Sequence, residues 1–277
     1  MIILIEILIS ILLLVLAKWT QDKFTKFDDD HELFQQDNPA LGISKAAYYL
    51  GLCIALSGLF IGEGVGTWEE VKDFCLYGLL SLALINVATA TVDLIIMKNF
   101  KIYEQICQHR NEGVAWVLAG SYISSAIILR GAMSGDDKPL LISTVEILAY
   151  FFLGQIILIL MSLCYECIMP NVQSHLEKGN KASGISLAGY LVAVGIIMGA
   201  MGSGNIELDK ASIIEYITLS FQALIVLVLL RKFAFKWIFA NGHCLVEEIQ
   251  SDQNRAAGWI TAFGCIGIAI LLSAALA

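Results

Sequence analysis

The sequence predicts an all-α polytopic membrane protein with eight transmembrane helices arranged as two parallel four-helix repeats. Three observations predict it. Hydrophobic residues make up 58% of the 277 and charged residues 15%, with a mean hydropathy of +0.76 and 3 prolines, too apolar a balance for a soluble domain. Eight continuous apolar runs approach the ~20 residues that cross a bilayer as helix, and they are too continuous for the ~10-residue alternating strands of an outer-membrane barrel. The chain also repeats itself: at a shift of 142 residues, Asn38, Ala40, Gly42, Ile43, Ser44, Ala46 and Tyr48 fall on Asn180, Ala182, Gly184, Ile185, Ser186, Ala188 and Tyr190.

The runs lie in order at Ile2–Ala17, Leu41–Ile61, Phe74–Met97, Gly113–Met133, Leu141–Cys164, Ser183–Gly202, Ile213–Leu230 and Ala257–Leu276. The first has no basic residue before it, no small-residue cleavage site and a Glu inside it, so it reads as a retained helix rather than a secretory signal. Lys and Arg set the orientation. Thirteen of the 17 lie in or beside the odd-numbered loops and four beside the even ones, which places the odd loops in the cytoplasm and both termini outside it. The formal charge of −8 adds little to this, and "DDDHE" and "GDDK" read as solvated loop. No electropositive face points to nucleic acid. The seven cysteines lie mostly in or beside the runs, where Cys acts as a small apolar residue, so disulfides are not implied.

A second register, at a shift of 143, superposes Ile106, Asn111, Trp116 and Ala119 on Ile249, Asn254, Trp259 and Ala262; a shift of 140 superposes Glu6 on Glu146. The repeats are expected at 1–134 and 140–277. Four helices is an even number, so both copies enter the membrane in the same direction, and a pseudo-two-fold axis along the membrane normal is expected.

Within each copy a shorter motif occurs twice. "NPALG" at Asn38, "NEGVA" at Asn111, "NKASG" at Asn180 and "NRAAG" at Asn254 share Asn followed by small residues at the second and fourth places. Asn is a favoured N-cap, since its side-chain oxygen accepts from backbone N–H groups that the first turn leaves unpaired. The small residues allow close backbone approach, as in Gly42–Ala46 and Gly184–Ala188. The even-numbered helices are therefore expected inside, their N-termini together on the cytoplasmic face, and the bulkier odd ones against lipid. Four positive dipole ends there would suit an anion or lipid phosphate; capping alone is the simpler reading.

"DNPALGISKAAYYLGLCIALSG" and "HRNEGVAWVLAGSYISSAIILRGAM" resemble the second and fourth helices of the YjfL-like proteins, bacterial inner-membrane proteins grouped as a domain of unknown function. Members typically have one four-helix unit, and nearly all of this chain resembles two units fused. The resemblance implies the fold and a bacterial inner-membrane location, and carries no reaction.

Among candidate site residues, Glu6 and Glu146 stand out, because an ionisable group in a bilayer costs about 3 kcal/mol even on insertion scales. Facing inward they would bind a cation or share a proton; each is also near enough to its helix end to reach interfacial water. Asp93 follows Asn86, Thr89 and Thr91 on a polar stripe, read as an ion path or, more simply, as helix–helix hydrogen bonding. Gln155 and Gln222 fit the second role. "CYEC", Cys164–Cys167, lacks the partners of a zinc site. "GEGVG" and "MGSGN" read as hairpin turns.

No nucleophile elbow, Walker loop or zinc-protease helix occurs, so no enzymatic activity, cofactor or metal is expected. The leading expectation is permeation or transport of an ion or small solute through a pseudo-symmetric helix core. The alternative is a non-enzymatic scaffold showing "KFTKFDDDHELFQQ" and "KWIFANGHCLVEEIQS" to a peripheral cytoplasmic protein in an envelope-associated complex. Besides the lipid bilayer no other partner is implied, and monomer and homo-oligomer both stay open.

Overall fold

Each apolar run becomes a helix because a bilayer offers its backbone no other hydrogen-bond partner. The computed structural model describes residues 2–24, 28–61, 67–91, 97, 100–134, 138–204, 208–238 and 243–276. Among them the long helices are α1 (Ile2–Phe24), α3 (Pro39–Ser57), α4 (Trp68–Thr91), α6 (Glu112–Met133), α7 (Leu140–Tyr165), α9 (Lys181–Met201), α10 (Lys210–Ile238) and α12 (Arg255–Leu276). All eight are long and apolar enough to cross a membrane.

Four further helices of six residues each lie where the sequence suggests only connecting segments: α2 (Asp29–Phe34), α5 (Ile102–Cys107), α8 (Val172–Glu177) and α11 (Leu245–Gln250). Each precedes one of the Asn-capped helices. Between short helix and Asn stands a residue with positive φ: Asp37 (49°), Arg110 (49°), Gly179 (82°) and Gln253 (51°). Three are not glycine, an uncommon conformation for them, and the turn is held by its own backbone. The Asn38, Asn111 and Asn254 N–H groups donate six residues back, to Glu32, Gln105 and Glu248, and Asn180 donates five back, to His175. The same corner is thus built four times.

α3, α6, α9 and α12 stand side by side in chain order, each packed along the next, while α1, α4, α7 and α10 flank this row. Bulky side chains on the flanking helices, such as Leu4, Leu12, Leu141 and Phe221, remain exposed and meet lipid. Small residues bring the row together. A Cβ on Gly120 of α6 would come 2.6 Å from the Ala188 Cα of α9, and one on Gly258 of α12 would come 2.8 Å from the Ala182 carbonyl oxygen of α9. Gly131 of α6 meets Gly199 of α9 just as closely. Without a hydrophobic drive between helices in lipid, such contacts and interhelical hydrogen bonds are what hold the row.

Two expectations change. A closed two-fold would lay α12 on α3 as α6 lies on α9, yet α3 and α12 do not pack on each other. The four small-residue helices form an open row, and only α6 and α9 are enclosed; α12 keeps one face outward, with Phe263, Ile270 and Leu271 exposed. "DDDHE" is not merely solvated loop. It forms α2, capped by Asp28 through the His31 N–H at 3.0 Å, and turns Asp29 inward to a buried ion pair with Lys45 of α3. Asp22 of α1 adds a longer contact, 3.8 Å from the same ammonium.

Candidate functional site

The four asparagines do more than cap. Each side-chain oxygen accepts from its own helix: Asn38 from Ala40 and Leu41, Asn111 from Val114, Asn180 from Ser183, and Asn254 from Ala256 and Ala257, all at 3.0–3.3 Å. The amide nitrogen reaches sideways. Asn38 Nδ2 donates to the Ile106 carbonyl of α5 at 3.1 Å, Asn111 to the Leu176 carbonyl of α8 at 2.7 Å, and Asn180 to the Ile249 and Gln250 carbonyls of α11 at 2.9 and 3.2 Å. α3, α6 and α9 are each thereby tied to the short helix that precedes the next small-residue helix, and the chosen carbonyls are among those a helix end leaves unpaired. All four N-termini lie on one face, and Lys181 adds a 2.8 Å ion pair with Glu112 across the middle of the row. Asn38, Asn111 and Asn180 are buried. Asn254 is exposed, and among the described residues its amide donates to Glu248 of its own corner, at 2.8 Å.

The capped face carries exposed Asp30, His109, Arg110, Glu177, Lys178 and Glu247. Between the second and third corners it opens into a recess of about 550 Å³, lined by His109, Arg110, Glu112, Glu177 and Lys181 among others. Beneath α5, burial pushes the Cys107 thiol up to about 11, with the Asp29 charge adding to it.

The sequence-predicted ionisable residues do not form one site. Glu146 has both oxygens 3.0 Å from the ammonium of Lys138, an ion pair with the connector just before the second repeat. Glu6 is buried on α1, with the Glu70 carboxylate of α4 acting on it. No contact joins Glu6 to Glu146 among the described residues. Asp93 lies outside the described residues, as does Gly62–Gly66 of "GEGVG". Asn86 of the same stripe donates to the Tyr48 hydroxyl of α3 at 3.1 Å, a helix–helix bond. Gln155 accepts from Ser125 of α6 at 3.3 Å. Gln222 is exposed on α10, and among the described residues its side chain makes no hydrogen bond. Cys164 and Cys167 are free and exposed.

One polar cluster escapes the sequence reading. Arg231, in the C-terminal third of α10, is buried among Tyr165, Ser186, Tyr190 and Thr261. Its Nη2 donates to the Tyr165 hydroxyl at 2.9 Å and to Ser186 Oγ at 3.1 Å, and the guanidinium lies 4.4 Å from the Tyr165 ring centre. Thr261 Oγ1 lies 2.9 Å from the same Ser186 oxygen. Nη1 has no hydrogen-bond partner, and no carboxylate faces the charge, among the described residues. π-faces and hydroxyls take the place of a counter-ion. In the first repeat Ser44 and Tyr48 occupy the places of Ser186 and Tyr190, but there Tyr48 meets neutral Asn86. Reading Arg231 only as a topology signal hid it; its place inside "VLVLLRKFAF" was the available clue.

Comparison with known proteins agrees with this architecture. No solved structure matches the chain. It is 23% identical over 261 residues to a curated relative described as "UPF0719 transmembrane protein" from Aquifex aeolicus (strain VF5), an alignment covering 91% of this chain and 94% of that one. The family described as Domain of Unknown Function (DUF350) matches twice, at residues 1–133 and 139–276. Helices that span a membrane eight times, built as a duplicated unit, and two family matches in tandem lead to one statement: this chain is a multi-pass transmembrane protein that belongs to the DUF350 family.

Proposed function

We infer that the protein is a non-enzymatic membrane scaffold whose capped face, turned to the cytoplasm by its Lys and Arg excess, holds a peripheral protein partner. The observation that carries this reading is the series of sideways asparagine bonds. Asn38, Asn111 and Asn180 fix the spacing of successive corners, so the charged short helices form a rigid array instead of separate loops. The recess at the centre of that array supplies a concave place for a partner's side chains. Permeation along the row is disfavoured by packing, since the glycine contacts between α6 and α9 leave no room for water between these helices.

Photo-crosslinking in native membranes tests the reading. A crosslinking residue at His109 or Glu177 should trap one defined protein, one at exposed Trp68 on the opposite face should not, and substituting Glu104, Glu177 and Glu247 by Gln should release it. Equal trapping from both faces would contradict a one-sided scaffold.

A second reading, movement of an anion or small solute, is favoured by one observation: the buried Arg231 charge lacks a carboxylate among the described residues. It predicts flux in liposomes that Arg231→Met abolishes; a scaffold gives no flux in either case.

A further inference from the structure

The two repeats treat one acidic position differently. Glu146 of α7 is neutralised by the Lys138 ammonium, 3.0 Å from both of its oxygens. Glu6 stands at the same place on α1 and is 5% exposed, yet among the described residues its side chain makes neither an ion pair nor a hydrogen bond. The charge that acts on it has its own sign and belongs to Glu70 of α4. Taking a carboxylate out of water beside a second one, with no cation, is unfavourable.

The helices hold these two acids at one level. α1 and α4, the first and third of eight spans, run in the same direction, and Leu13 of α1 lies against Gly78 of α4. Glu6 comes seven residues before Leu13 and Glu70 eight before Gly78, which puts them about 10 and 12 Å along their helices from that contact. Glu70 is fixed by a capping box with Thr67: its N–H donates to Thr67 Oγ1 at 3.3 Å, and the Thr67 N–H donates to a Glu70 oxygen at 3.4 Å.

The second repeat shows what the position accepts. A shift of 139 lays Glu70 on Asp209 and Tyr77 and Ser81 on Tyr216 and Ser220. Burial follows the same register, with Leu84, Ile85 and Ala88 matched by Ala223, Leu224 and Leu227. Asp209 is exposed and caps α10 by accepting from the Ser212 N–H at 2.9 Å, while Glu146 takes a primary ammonium. In the first repeat no ammonium meets Glu6 among the described residues. Its unpartnered oxygens are not among the sealed polar atoms, so a small group reaches them from the surface. No third His, Cys, Asp or Glu completes a metal cage with the pair among the described residues, and the donor set is that of an ammonium.

We propose that Glu6 and Glu70 bind a primary ammonium group in the place that Lys138 fills in the second repeat. The neighbours of Glu6 on α1, Ile3, Leu4, Ile7 and Leu8, are exposed to lipid, which makes an ethanolamine phospholipid headgroup the source at hand. A primary ammonium offers three N–H donors to the carboxylate oxygens, whereas a quaternary choline head offers none. The site lies at the end of the helices opposite the capped face and does not depend on the scaffold reading.

Thermal unfolding of the full chain, purified in detergent, tests this. Phosphatidylethanolamine should raise the midpoint more than phosphatidylcholine with the same acyl chains. Ethanolamine against choline, without lipid, separates the two sources: a difference there alone assigns the site to a free amine and keeps the ammonium chemistry. Glu6→Gln should abolish the difference, and it keeps the fold because it removes a buried charge and no hydrogen bond among the described residues. Glu70→Gln, which retains the capping box, should reduce the difference, and Glu146→Gln should leave it intact. Equal responses to primary and quaternary heads from both sources would overturn the proposal. A difference that survives in both Glu6→Gln and Glu70→Gln would overturn it too, since the ammonium would then bind elsewhere.

Discussion

Asn111 caps its own helix and, with its amide nitrogen, holds the Leu176 carbonyl 2.7 Å away across the boundary between the two halves. One side chain therefore both begins α6 and fastens the second repeat to the first. Removing each role separately is feasible. Asn111→Ser keeps an oxygen that accepts from Val114 and loses the amide donations to Leu176 and, within its own corner, to Gln105; Asn111→Ala loses both roles. The cap contributes about 1 kcal/mol, and leaving a buried carbonyl unpaired costs about 1–3 kcal/mol. Thermal unfolding in detergent should rank wild type above Ser and Ser above Ala. If Ser matched wild type, the amide bonds would contribute nothing.

Glycine at the row's centre and at its edge should respond oppositely to the same change. Gly120→Ala drives a methyl into the Ala188 backbone and should cost about 1–3 kcal/mol from overpacking. Gly267→Ala meets open space and should be neutral or gain up to about 1 kcal/mol from helix propensity in dispersed single chains. Comparing the two unfolding midpoints checks this, and a tolerated Gly120→Ala would mean that α6 and α9 are not in close contact.

The Arg231 cluster makes a less intuitive prediction. Tyr165→Phe removes an acceptor from a buried charge and should destabilise by about 1–3 kcal/mol. Adding Arg231→Met removes the charge itself and its desolvation cost. The double variant should therefore be more stable than Tyr165→Phe alone. A double variant less stable than either single change would show that the guanidinium is held by partners other than Tyr165 and Ser186.

Thiol chemistry reports on the capped face. Cys107 has its pKa pushed up to about 11, so about one thiol in a thousand is ionised at pH 8. Exposed Cys167 and Cys244 should react with an impermeant maleimide far faster, and only from the cytoplasmic side if the charge rule holds. Because the fold raises the Cys107 pKa, it favours the protonated thiol. That contribution to stability is whole below about pH 9 and is lost as pH rises through about 11. Rapid labelling of Cys107 in the folded protein at pH 8 would contradict its burial.

The eight spans and the duplication were legible in the sequence, because continuous apolar runs and aligned small residues are one-dimensional signals. The caps were legible for the same reason: Asn38, Asn111, Asn180 and Asn254 stand just before each run. The corners were not. α5, α8 and α11 each show an apolar pair four residues apart, Ile102 and Ile106, Val172 and Leu176, Leu245 and Ile249, but six residues are too few for periodicity to announce a helix. The left-handed Asp37, Arg110 and Gln253 carry no glycine to mark them. The open row was equally hidden, since a repeat fixes that two copies exist and not the rotation between them. Arg231 was obscured because topology counting credits every basic residue to a loop.

The central claim is that α3, α6, α9 and α12 form an open row in chain order. Spin labels at exposed Ala46 of α3 and Gly267 of α12, in labelled chains diluted with unlabelled ones, measure it most directly by pulsed dipolar spectroscopy. Three interhelical steps of about 8–10 Å each predict a separation above about 20 Å within one chain. A separation near a single step, about 10 Å, would mean that the row closes on itself and would contradict the account.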